Sequence, residues 1–137
     1  MILFINTSRI DLIDVKLITD GRILASAENR QPYRQSELLL TMIDKLFGNW
    51  KLEIGNLTAV AVISGPGAFS ALRLGVATAN ALAWGLGVPV MELTTAEVNN
   101  QKSLIKNLKL KTKKAGSKFK AIKPKYGREP NITKTKK

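Results

Sequence analysis

The run from Leu57 to Leu93 leaves this chain few choices of fold, because a β-branched apolar segment (LTAVAVIS), a Gly-Pro-Gly turn, a long apolar helix and a second apolar strand (VPVMEL) follow one another directly. A strand that returns through a helical crossover belongs to a sheet with helices packed on it. The residues before this run read differently. Ile2–Ile5 is short enough for a buried strand, and Ile13, Val15 and Leu17 alternate as in a half-buried one. Asp20-Gly21 then supplies the positive-φ chemistry of a tight hairpin, and RILASAE returns as a third strand. From Ser36 the period becomes helical, with Leu39, Met42, Ile43 and Leu46 on one side. Ser36 is the expected N-cap and Gly48 the expected stop. The order is β-β-β-α-β-α-β, an α/β single domain whose mixed sheet carries an antiparallel edge.

Charge divides the chain unevenly. Of 137 residues, the first 98 hold 8 Lys/Arg and 9 Asp/Glu, whereas residues 99–137 hold 14 Lys/Arg and the single acid Glu129. The expected organisation is a near-neutral domain over 1–98 and a basic, flexible tail over 99–137, in which AEVNNQKSLIKNLKL is compatible with a short helix. With neither cysteine nor histidine, thiolate chemistry, disulfides and the commonest metal ligand and general base are excluded. No catalytic residue, metal site or cofactor is expected. The first residues, MILFINTSRIDLIDV, show no basic n-region or cleavage site, so a cytoplasmic protein is the default.

The helix read from about Phe69 to Leu86 is apolar nearly all round. Leu72, Val76, Ala79, Ala83 and Leu86 form a core stripe, and Ala71, Gly75, Thr78, Leu82 and Gly85 a second, mostly of small residues. Gly75 and Gly85 each cost about 1 kcal/mol against alanine in a helix, which a close approach of another backbone would offset. The remaining face, Arg73, Ala77, Asn80 and Trp84, has two polar groups. A small domain has little left to cover it, so a partner surface is expected there. A membrane is a poor alternative, because the uncharged stretch contains glycines, an Asn and a Pro. The turn GPGAFS lacks the Lys-Ser/Thr of a P-loop and the dinucleotide spacing, and Pro66 removes an N–H donor. Gly65, Gly67, Thr7 and Ser8 are therefore weak candidates for a phosphate or nucleotide contact. The competing reading is a turn held by hydroxyl-to-backbone bonds.

ILFINTS, QSELLLTMIDKLF and above all AVAVISGPGAFSALRLGVATANALAWGLGVPV resemble the TsaB (YeaZ) family, the non-catalytic partner in N6-threonylcarbamoyladenosine (t6A) formation at position 37 of tRNA. The resemblance covers about residues 1–95. It implies the actin, Hsp70 and sugar-kinase (ribonuclease H-like) fold. It also implies a TsaD-like catalytic partner docked through first-domain helices, a TsaE-like ATPase as a further component, and a homodimer as an option. KPKYGREPNITK resembles a Pro-x-Tyr-x-Arg-x-Pro segment near family C-termini, through Tyr126, Arg128 and Pro130. The sequence departs from the family at Asn6, where Asp is usual, at Ala68, Ser70 and Ala71 (Ser, Thr, Gly), and at Asn80, where Lys is common. By the same resemblance the second domain of full-length members is missing. TsaD itself is excluded because its His-x-x-x-His metal motif has no counterpart. A two-metal nuclease is excluded because Ile2–Asn6 and Thr58–Ser64 contain no acid. Two readings stay beside the scaffold subunit: a small tRNA-binding module acting through its basic tail, and a residual nucleotide-binding domain.

Overall fold

Three strands run as a meander before the first helix, and the computed structural model describes them within residues 1–116 and 118–124. Strands β1 (Ile2–Asn6), β2 (Ile13–Thr19) and β3 (Arg22–Asn29) are followed by helix α1 (Gln35–Asn49), β4 (Ala59–Gly65), α2 (Phe69–Leu86), β5 (Val90–Thr94) and α3 (Gln101–Ala115). The sheet order is β3-β2-β1-β4-β5. β1 pairs antiparallel with β2 but parallel with β4, and β4 is parallel with β5. This is the mixed sheet and element order expected from the sequence, with one helix added.

The hairpin follows from its two turn residues. Asp20 and Gly21 both take positive φ, 50° and 72°, as a two-residue turn matching the twist of the strands requires. Thr19 then faces Arg22 across the ladder.

Alternation along β1 sorts the core. Leu3 and Ile5 join Val60 and Val62 beneath α1 and α2, with Leu39, Ile43, Val76 and Ala79. Phe4 belongs to the opposite face with Ala61, Ile63, Met91 and Leu93. Every residue of β4 is buried, so neither face of the sheet can be left to water.

The second face is covered by α3, which corrects the boundary at Val98 drawn from charge. Asn100 caps this helix by accepting from the Ser103 N–H at 2.9 Å. Leu104 and Leu108 are buried against the sheet. The chain then leads to Phe119 and Ile122, which pack against the core on the α1/α2 side. Folded contacts therefore extend well into the segment read as a loose tail. Tyr126, Arg128 and Pro130 lie outside the described residues.

Both ends of α1 differ from expectation. Its N-cap is Arg34, with no side-chain cap bond, and Ser36 sits inside the first turn. The entry is held instead by Gln35, whose Nε2 donates to the Arg9 carbonyl at 2.7 Å, and by the Arg34–Glu37 ion pair. Gly48 does not stop the helix. Lys51 takes the left-handed conformation (φ 53°), and the N–H groups of Lys51 and Leu52 return to the carbonyls of Gly48 and Phe47. That pair of bonds closes a helix whatever the side chain, although glycine is the usual occupant. α2 ends with the same pair of bonds, here with Gly87 at φ 70°.

Candidate functional site

The Gly-Pro-Gly turn and the loop after β1 come together, so the four weak phosphate candidates are neighbours. Thr7 and Ser8 bond to other parts of the chain, at Ala71, Ala68 and Asn6. Thr7 is fully buried, and its Oγ1 donates to the Ala71 carbonyl in the first turns of α2 at 2.6 Å. A Cβ at Gly75 would lie 2.3 Å from that oxygen, so the helix accepts the Thr7 side chain only because position 75 has no side chain. The close approach inferred for this glycine comes from within the chain, and from a hydroxyl rather than a backbone.

The rest of the turn is packed in the same manner. A Cβ at Gly67 would lie 2.4 Å from the Ser8 carbonyl oxygen, which accepts from the Ala68 N–H at 2.9 Å. The Ser8 N–H donates to Asn6 Oδ1 at 3.0 Å, a local turn of the kind Asn favours. Gly65 is buried and has φ 147°, a backbone conformation reserved for glycine. Thr7 thus turns its hydroxyl into the helix, and Gly67 is the exposed member of the four. The Thr7 hydroxyl is engaged by the chain itself.

The outer face of α2 is different. Arg73, Ala77 and Trp84 are exposed, Trp84 to 73%. Trp84 is a large apolar group with most of its surface in water. Ala77 and Ala81 beside it are small and exposed, so the helix backbone is accessible between Arg73 and Trp84. Arg73 lies over the Phe69 ring, 5.8 Å from its centroid. Next to this face, α1 presents Leu40, 61% exposed. An apolar groove of about 430 Å³ runs between the helices, lined by Leu40, Ile43, Phe47, Leu52, Ile54 and Leu82 with Asp44 at its side.

Asn80 stands apart from the other three. It is half-buried, its Nδ2 donates to the Ile122 carbonyl at 2.8 Å, and its Oδ1 accepts from the Ile122 N–H at 3.0 Å. The side chain mimics one rung of a β-ladder and pins residues 118–124 beside α2. Sequence placed Asn80 on the open face because its partner lies 42 residues away.

Gly85 is exposed, and among the described residues nothing lies within 4 Å of the point a Cβ would occupy there, so no contact among them accounts for that glycine. Among the described residues no group of three or more His, Cys, Asp or Glu could hold a metal ion, and no helix is long and apolar enough to cross a membrane.

Residues 29–117 match the family profile described as "TsaD: tRNA N6-adenosine threonylcarbamoyltransferase". The tRNA threonylcarbamoyladenosine biosynthesis protein TsaB of Buchnera aphidicola is 31% identical over 103 residues, 75% of this chain and 48% of that protein. A tRNA N6-adenosine threonylcarbamoyltransferase of Streptococcus equi is 42% identical over 55 residues, 40% of this chain but 16% of that protein. Among solved structures, YeaZ from Pseudomonas aeruginosa superposes with a TM-score of 0.64 at 29% identity, covering 68% of this chain and 43% of that one. The chain spans about half the length of the curated TsaB protein it matches.

Proposed function

The chain belongs to the TsaD/TsaB family, on its TsaB (YeaZ) side, and from that premise we propose that it is a non-catalytic subunit of the machinery that forms N6-threonylcarbamoyladenosine on tRNA. Its role is to dock on, and support, a TsaD-like transferase. The observation that carries the reading is the outer face of α2, where a largely exposed Trp84 stands beside small Ala77 and Ala81, next to the apolar groove along α1. An exposed tryptophan flanked by close-approach positions has the make-up of an interface anchor, and two helices side by side offer the ridges that a partner's helices would fill. A TsaE-like ATPase joins as a further component, and a second copy of this chain is the competing occupant of the face.

The lack of catalysis rests on the residues. The sequence has no histidine or cysteine, and the hydroxyl of Thr7 is committed to holding α2. The Ser64 hydroxyl beside the turn is buried and donates to Glu92 Oε1 at 2.9 Å, so it too is engaged within the fold. The test is co-purification with the catalytic subunit of the same cell, followed by calorimetric titration. Ala77→Glu places a charge in the middle of the proposed contact, and it should weaken the complex by about tenfold or more while leaving the melting curve of the free chain unchanged. Trp84→Ala should cost about 2 kcal/mol or more of binding, as anchors do. Unchanged affinity in both variants would overturn the docking face.

A further inference from the structure

We propose that the outer side of α3 is a binding surface for the sugar–phosphate backbone of an RNA stem, on the opposite face of the sheet from the proposed docking helices. The helix contains six lysines and no acid over Gln101–Ala115. Lys102, Lys106, Lys109 and Lys113 recur every three or four residues, directly opposite the buried Leu104 and Leu108, and all four are exposed. At 1.5 Å per residue they form one row about 16 Å long. Because the helix is folded onto the sheet, this row is fixed in space, which a loose tail would not achieve.

The row is unneutralised. Among the described residues its four lysines have no ion pair within 4 Å, whereas Lys111, at the flank, faces Glu97 at 3.7 Å. Along the row runs an open groove of about 570 Å³, lined by the same four lysines, Gly21, Ile105 and Leu110. The hairpin tip forms its other wall, and the Lys109 stem lies against Gly21. Asp20, in the turn, lines the neighbouring recess with Lys109 and Lys113.

The chemistry selects a polyanion and, among polyanions, a backbone. No aromatic residue occurs in α3 on which a base could stack, so the surface has no means of reading sequence. Leu110 is the large apolar residue exposed on α3, too little to insert into a bilayer. Lysines act on phosphates as point charges, and what they release is counterions. The choice of RNA among polyanions rests on the proposed function, while the surface itself does not. It is read on the chain alone, so its failure and the failure of partner docking are separate results.

The experiment is fluorescence anisotropy of the full chain with a short labelled RNA duplex across a salt series. Four phosphates neutralised give a log–log slope of about −3.6, hence a loss of about 150-fold between 50 and 200 mM salt. Replacing Lys102, Lys106, Lys109 and Lys113 together by Gln should remove most of that slope and leave the melting temperature unchanged, since all four point away from the core. A charge-matched variant with Gln at positions 125, 134, 136 and 137 should keep it. Asp20→Asn, which suits the same positive-φ turn, should tighten binding a few-fold. Equal losses in both quadruple variants would reduce the effect to net charge and overturn the surface. So would absence of RNA binding, or binding to phosphatidylserine vesicles with no RNA binding.

Discussion

Replacing Gly75 by alanine tests whether the Gly-Pro-Gly region is built for packing. Taken as a helix position alone, Gly75→Ala should stabilise by about 1 kcal/mol. The structure predicts the opposite sign. The new Cβ would stand 2.3 Å from Thr7 Oγ1, and that oxygen cannot retreat, because Thr7 is fully buried and bonded to the Ala71 carbonyl. Overpacking costs about 1–3 kcal/mol, and a buried hydroxyl forced off its acceptor about 1–3 more. Set against the helix gain, the net loss is about 3 kcal/mol. Thr7→Ala alone gives up the hydrogen bond and leaves a small void, at about 1–2 kcal/mol. In the double variant the clashing atom is gone, and the new Cβ meets the Thr7 Cβ at 3.5 Å, an ordinary contact. Urea unfolding followed by circular dichroism should therefore find the double variant more stable than Gly75→Ala. Thr7→Val, which keeps the bulk, should give no rescue. Additive losses, within about 0.5 kcal/mol, would refute the reasoning.

Three further expectations follow from other parts of the fold. Leu108→Ala should cost about 2–5 kcal/mol in urea unfolding, whereas a solvated tail would show no change. Asn80→Ala removes both bonds to Ile122, and trypsin should then cut at Lys118 and Lys120 faster than in the parent, an equal rate speaking against the pin. Arg34 holds the Glu37 carboxyl below its ordinary range, first by hydrogen bonding and then by its charge, and a hydrogen bond from Arg9 does the same for Asp11. A lowered folded-state pKa gives stability that is present above the ordinary carboxylate value of about 4 and lost as pH falls through the folded one. Both pairs are exposed and the effect is small, so Glu37→Gln with Asp11→Asn should flatten the acid side of the stability profile slightly, and an unchanged slope there would contradict the assignment.

What the sequence made legible was whatever local chemistry decides. Asp20-Gly21 named its own hairpin, the β-branched run named β4, and the 3.6-residue spacing of Leu72, Val76, Ala79 and Ala83 named the buried side of α2. What it hid was set at long range or masked by charge. Six lysines drew attention from Leu104, Leu108 and the Asn100 cap, a helical signal present in plain sight. Gly48 carried the usual stop residue, but the left-handed position fell at Lys51. The pairing of Asn80 with Ile122 leaves no trace in either neighbourhood. The commitment of Thr7 to Ala71, across 64 positions, is of the same kind: the hydroxyl-to-backbone alternative was visible, but its partner was not.

The way α2 is tied down has a mechanical consequence. Its start is locked by Thr7 in the notch at Gly75, its middle by the Ile122 pin at Asn80, and its end by the Gly87 closure. The helix has little freedom to tilt or fray, so its conformational entropy is surrendered at folding and not at association. A protein arriving at Trp84 meets an ordered platform and has no induced rearrangement to drive. Changes to the exposed face should accordingly register as shorter residence times, with the rate of encounter nearly unaltered.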